Sequence, residues 1–139
     1  MAKAMPIGAR GKAEETVEFK HTLTAHHPEL PPVYSTPDMI RLMETACFHT
    51  LQPYAEDGEI NVGTAVNVQH RAATGTGSRV RARAELESFD GRFYIMRVSA
   101  WVVLHSSQNS GSGTREIGRG TIHRAVINVA DFISRLPKA

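Results

Sequence analysis

Between Tyr34 and Tyr54 the chain holds its one long stretch in which apolar residues recur three and four apart: Met39, Leu42, Met43, Ala46, Cys47, Thr50, Leu51 and Tyr54. That spacing lays a broad apolar stripe along one side of an α-helix. Thr36 is the expected N-cap, Pro37 suits the first helical position, where no N–H is needed, and Asp38 falls in the positive first turn. Pro53 stops the helix. A helix with one dry face has to be covered, and nearly everything else in the chain reads as strands. The economical packing of such parts is one long helix against one antiparallel sheet, an α+β fold.

The strands are read from alternation. Thr16–Ala25 places Val17, Phe19 and Leu23 on one face, with His21 interrupting them, and residues 1–13 read as a loosely held leader. After the proline-rich loop from His26 to Val33, the helix and the turn at Ala55–Gly58, a strand from Ile60 to Arg71 puts Val62, Thr64, Val66, Val68 and His70 in one row and Gly63, Ala65, Asn67 and Gln69 in the other. Arg79–Glu87 alternates most cleanly, with Val80, Ala82, Ala84 and Leu86 opposite arginines and glutamates. Asp90-Gly91 is a hairpin signal joining it to Phe93–Leu104. Residues 106–113 form a polar low-complexity loop, Ile117–Val129 is the last strand, and Ala130–Leu136 is a short terminal helix or turn.

One domain, residues 1–139, is the natural count at this length. A formal charge of +2, with basic and acidic residues interleaved, gives no block that would grip nucleic acid. Cys47 is the single cysteine, so no internal disulfide exists, and it reads as a small buried hydrophobe in a reducing interior. No apolar run has the length of a signal peptide or a membrane span, which leads us to expect a cytoplasmic protein with no membrane partner. Seven histidines invite a metal, but no His-x-x-x-His or Glu-x-x-His places two ligands on one helix face, so no metal site is expected. Gly75-Thr76-Gly77 lacks the lysine and helix of a phosphate loop.

Two polar residues stand out of place. Glu44 lies on the flank of the apolar stripe, where desolvation would favour the work of a general base; pairing with Arg41, three residues earlier, is the alternative. His70 falls in line with valines, as a core histidine or as a partner for Glu44. Thr36 caps the helix or serves chemistry.

With these residues in place the chain resembles the hotdog-fold acyl-CoA thioesterases, and specifically the fluoroacetyl-CoA thioesterase family. The similarity is carried by Thr36, Met43-Glu44-x-Ala46-Cys47, Pro53-Tyr54, Gly63-Thr64-Ala65, His70-x-Ala72-Ala73-Thr74 and Gly120-Thr121-x-x-Arg124-Ala125-Val126-Ile127. The resemblance implies a curved antiparallel sheet wrapped around the central helix, a homodimer that can pair further into a tetramer, and an acyl-CoA substrate with no separate cofactor. It also implies a catalytic set of Thr36, Glu44 and His70, with Gly63, Thr64 and Arg124 near the acyl group.

Thioester hydrolysis needs a nucleophile, a base and donors for the developing oxyanion. Glu44 is the expected base, Thr36 the nucleophile or the group that positions water, and His70 the proton donor, with backbone N–H groups near Thr36 and Asp38 as oxyanion donors. In one regular helix Thr36 and Glu44 would stand about 12 Å apart, so either Thr36 folds back or the site is completed across the dimer. Where the family carries gating phenylalanines before the helix, this chain has Glu29-Leu30-Pro31-Pro32-Val33-Tyr34, and its polar loop at 106–113 is longer than the family's, so a small or medium acyl-CoA is the expected substrate. The rival readings are a non-catalytic acyl-CoA-binding or regulatory domain and a hotdog hydratase or dehydratase. Asp38 lacks the Asn, Pro and His companions that the last would need.

Overall fold

A computed structural model describes residues 5–104 and 113–138. Five strands, β1 (Arg10–Thr16), β2 (Glu59–His70), β3 (Arg79–Phe89), β4 (Tyr94–Leu104) and β5 (Gly113–Asn128), form one antiparallel sheet in the order β1-β3-β4-β5-β2. Of the helices α1 (Leu23–His26), α2 (Thr36–Leu51) and α3 (Val129–Ser134), only α2 is long, and it touches all five strands. The sheet curls around it, as the resemblance implies. Among the described residues, no helix is long and apolar enough to cross a membrane.

The helix forms where the periodicity places it, but its cap is Ser35. The Ser35 hydroxyl accepts from the Asp38 N–H at 3.1 Å, leaving Thr36 as the first helical residue and Pro37 as the second. Both positions carry hydroxyls, so sequence alone could not separate them. Met39, Leu42, Met43, Ala46, Cys47, Thr50 and Leu51 are buried, and the Thr50 hydroxyl is satisfied by the Ala46 carbonyl at 2.7 Å. They pack on Val80, Ala82, Ala84 and Leu86 of β3, Met96, Val98, Ala100 and Val102 of β4, and Ile117 and Ile122 of β5. Full burial of each Leu, Ile or Met side chain contributes roughly 1.5–3 kcal/mol. The helix rides close to β1, for a β-carbon on Gly11 would collide with the Thr50 hydroxyl.

Three expectations are corrected. The first strand is Arg10–Thr16, not Thr16–Ala25, so residues 10–13 of the expected leader are an edge strand paired with β3. Residues 19–26 instead form a 3₁₀ turn and α1, because side chains capture the backbone there. The Glu18 N–H donates to His21 Nδ1 at 3.0 Å, and the Thr22 hydroxyl accepts from the Ala25 N–H at 3.3 Å. Finally, the single row from Val62 to His70 is broken. Gly63 pairs with Arg124 but Ala65 pairs with His123, leaving Thr64 as the extra residue of a β-bulge. The hairpin after β3 is as expected, with Asp90 Oδ1 accepting from the Arg92 and Phe93 N–H groups and Gly91 at φ +98°. Residues 106–112 of the polar loop lie outside the described residues; Gly113 opens β5.

Candidate active site

The bulge at Thr64 decides which residues meet. Gly63 and His70 are seven positions apart, so in a regular strand they would point to opposite faces. One extra residue between them puts both on the side that faces α2. At the start of the helix, Thr36 Oγ1 lies 2.8 Å from His70 Nδ1. Two turns on, the Glu44 carboxylate lies so close over Gly63 that a β-carbon there would collide with it. α2 thus meets β2 at two places, its first residue against His70 and its middle against Gly63, which form the two ends of the candidate site.

At the first end, exposed Thr36 covers one ring nitrogen of His70, while the other, Nε2, is buried with no hydrogen-bond partner among the described residues. Burial holds the His70 pKa below the usual imidazole range, with the Ala72 backbone opposing it, so the ring is neutral at pH 7. When the Thr36 hydroxyl donates to Nδ1, the ring proton sits on Nε2. Such a ring can donate from Nε2 toward a substrate oxygen or sulfur. Asp38 cannot serve as the expected oxyanion donor, because its N–H is taken by the Ser35 cap and Pro37 has none to offer.

At the second end, Glu44 is about one-third exposed and faces Arg124 Nη1 at 3.6 Å. The expected alternative partner, Arg41, turns away: its Nη2 donates to both oxygens of Glu15 at 2.7 Å, and its Nε lies 3.5 Å from Asp38. Arg124 is only 5% exposed. Its Nε donates to Asn61 Oδ1 at 2.9 Å and its Nη2 to the Asn61 carbonyl at 2.8 Å. Asn61 did not stand out in the sequence, although a polar residue between Ile60 and Val62 in an apolar strand was the available signal. Burial pushes the neighbouring Cys47 thiol up to about 12, which rules it out as a thiolate nucleophile at neutral pH. A groove of about 390 Å³, lined by Pro37, Ile40, Thr45, Phe48 and Arg124, opens onto Glu44.

Not everything converges. Thr36 and Glu44 both lie in regular helix, eight residues and so about 12 Å apart along the axis, and Thr36 does not fold back. Thr64, exposed in the bulge, borders a separate recess with Val62, Phe93 and Phe132. Among the described residues, no three His, Cys, Asp or Glu side chains are grouped to hold a metal ion.

Comparison with known proteins bears on the family and the fold. The profile of the fluoroacetyl-CoA-specific thioesterase family matches residues 17–130. A fluoroacetyl-CoA thioesterase of Streptantibioticus cattleyicolor is 39% identical over 122 residues, 88% of this chain and 81% of that protein. A solved structure of a fluoroacetyl-CoA thioesterase superposes with a TM-score of 0.79 at 36% identity, covering 97% of this chain and 100% of that one. A Thermus thermophilus member of the thioesterase superfamily, 26% identical, superposes at 0.80 over 94% of this chain and 90% of its own. With most of its length matched in both sequence and shape, the chain belongs to the fluoroacetyl-CoA-specific thioesterase family and is a thioester hydrolase of the hotdog fold.

Proposed function

We propose that the protein hydrolyses a small or medium acyl-CoA to the free acid and CoA. Glu44 acts as base, Thr36 as nucleophile or water-positioning group and His70 as proton donor, with Gly63, Thr64 and Arg124 around the acyl group. The observation that carries this reading is the Thr36–His70 hydrogen bond, with the buried Nε2 of the same ring left for a ligand. Neutral His70 with its proton on Nε2 can stabilise the oxyanion of the tetrahedral stage, or protonate the thiolate as the C–S bond breaks. A carboxylate that takes the proton of water, or of the Thr36 hydroxyl, completes the reaction.

The separation of Thr36 from Glu44 favours a site shared by two copies of the chain. β2 is the outer strand of the sheet, and its residues Gly63–Asn67 are exposed. A long open edge of that kind invites a second strand. Two β2 strands related by a twofold near Val66, itself 44% exposed, would bring His70 of one protomer near Gly63 of the other. Thr36 and His70 would then face Glu44 of the partner subunit. Pro37, Ile40 and Phe48, apolar residues on the face of α2 away from the core, fit the same contact.

The test is thiol release from acyl-CoAs of graded chain length, by the wild type beside Glu44→Ala and His70→Ala variants shown to keep fold and oligomeric state. Each variant is expected to lose about 10²–10⁴-fold in kcat/KM, and the preferred chain length sizes the pocket. An acyl adduct on Thr36, seen by mass spectrometry after rapid quench, would make it the nucleophile; its absence would leave it positioning water. Tight binding of every acyl-CoA with no thiol released would overturn the proposal in favour of a ligand-binding domain.

A further inference from the structure

Arg124 raises a problem that its neighbours solve. A buried guanidinium next to a carboxylate ordinarily closes on it with two parallel N–H···O bonds, the strongest geometry open to the pair. Here it does not, for Nη1 stays 3.6 Å from Glu44 Oε1, beyond hydrogen-bond distance. The opposite edge of the fork is held instead, by Asn61 Oδ1 and the Asn61 carbonyl at 2.9 and 2.8 Å. Asn61 is itself 2% exposed and fixed in orientation. Its Nδ2 donates to Gln52 Oε1 at 3.0 Å and to the Phe48 carbonyl at 3.4 Å, and Gln52 Nε2 donates to the Glu59 carbonyl at 2.9 Å. With acceptors on the Nδ2 side and a donor on the Oδ1 side, the Asn61 amide fits only one way round.

We infer that Asn61, backed by Gln52, is a positioning residue that draws the Arg124 guanidinium away from Glu44, so that the carboxylate keeps its oxygens free for the attacking group. The inference rests on the reading of Glu44 as base and adds a reason why that base is not consumed by its own counter-ion. Without the clamp the guanidinium would close on Glu44, and the pair would neutralise itself. The other groups around Glu44 do not compete for this role. On its own helix, Cys47 is a neutral thiol and Arg41 is engaged by Glu15 and Asp38; on β2 the facing residue is Gly63, which has no side chain.

Two substitutions of Asn61 push in opposite directions. Asn61→Leu removes the side-chain acceptor, so Arg124 swings onto Glu44, turnover falls, and the acidic limb of the kcat/KM profile moves to lower pH by about one unit. Asn61→Asp keeps the acceptor and adds a negative charge, so turnover is retained better than in Asn61→Leu and the same limb moves up by about as much. A residue that merely stabilised the fold would move Tm and leave the limb in place. Gln52→Ala, at a half-buried position, loosens the clamp without emptying the core and is expected to shift the limb in the same direction as Asn61→Leu, by less; it carries the test should Asn61→Leu not fold.

The four enzymes are compared as folded oligomers, with Glu44→Gln beside them. Should Glu44→Gln keep its rate, the base reading itself is wrong. If Glu44→Gln loses its rate while the Asn61 and Gln52 variants leave the limb where it is in the wild type, Glu44 stands as base and the clamp is refuted.

Discussion

The two ends of the site, at the start and the middle of α2, solve the same problem, a polar group at the edge of an apolar core, in opposite ways. At the Thr36 end the groups are uncharged: a hydroxyl meets a neutral imidazole at 2.8 Å, and the far side of the ring is left unsatisfied. At the Glu44 end the groups are charged, and a buried cation is held back from its carboxylate by an amide that is itself anchored. Burial costs the first end one unmade hydrogen bond, of the order of 1–3 kcal/mol, whereas an unpaired charge at the second would cost far more. This accounts for the support structure standing behind Arg124 and for its absence behind His70. The neutral end can wait for a ligand with one hydrogen bond unmade, but the charged end has to be satisfied in advance.

The largest effect that separates the ends comes from Gly63. A β-carbon at that position would strike the Glu44 carboxylate, which is the mobile tip of a flexible side chain. Gly63→Ala is therefore expected to displace the carboxylate while changing stability little. A misplacement of about 1 Å can cost on the order of 10²-fold in rate, so kcat/KM should fall by about that much with Tm nearly unchanged, and with the Thr36–His70 end intact. A Gly63→Ala enzyme of wild-type rate would mean that the position of Glu44 does not matter to turnover.

A smaller effect is expected at the neutral end, and it appears in stability against pH. Burial lowers the His70 pKa from its usual value of 6.5. The unfolded chain then binds a proton that the folded one refuses, so stability rises with pH across that interval. The contribution is fully present above about pH 6.5 and is lost as pH falls through the lower folded value. Denaturant melts of wild type and His70→Gln at pH 7.5 and 5 measure this directly. The wild type should lose more stability on acidification than the variant, and equal losses would show that the burial of the ring is not felt.

How much of this could be read beforehand depends on where the physics lies. The helix was legible because one face is large and apolar at helical spacing, and because cap and proline chemistry mark its start. β1 was not, since its inward residues are Gly11, Ala13 and Glu15, two too small to register as apolar and one charged. The bulge at Thr64 was invisible, because an extra residue in an alternating strand looks like more of the same strand, yet it is what turns Gly63 and His70 to one side. Spacing alone left Glu44 between a base and an ion pair with Arg41, and the resemblance supplied the catalytic set. The true partners lie far off in the chain: Arg41 meets Glu15, 26 residues away, and Arg124 meets Asn61 across 63. Side-chain pairs at such separations leave no local pattern.

The smallest expected effect isolates the neutral end from the helix that carries it. Ser35 is fully buried, and its hydroxyl caps α2 by accepting from the Asp38 N–H, while also bonding the Asp38 carboxylate. Asp38 in turn lies 3.1 Å from His26 Nε2 and 3.5 Å from Arg41 Nε. Ser35→Ala is expected to cost about 1 kcal/mol of stability, the usual cost of losing an N-cap. Its first consequence falls on the next residue, Thr36, whose hydroxyl needs an ordered first turn to reach His70. Glu44 lies two turns further on, where the helix is held by Met43, Ala46 and Cys47 in the core, and should not respond. The response of the acidic limb to Asn61→Leu should thus be the same with and without Ser35→Ala, while kcat drops a few-fold. A different response to Asn61→Leu in the Ser35→Ala background would mean that the two ends are coupled through α2, and that the contrast between them is one of chemistry alone.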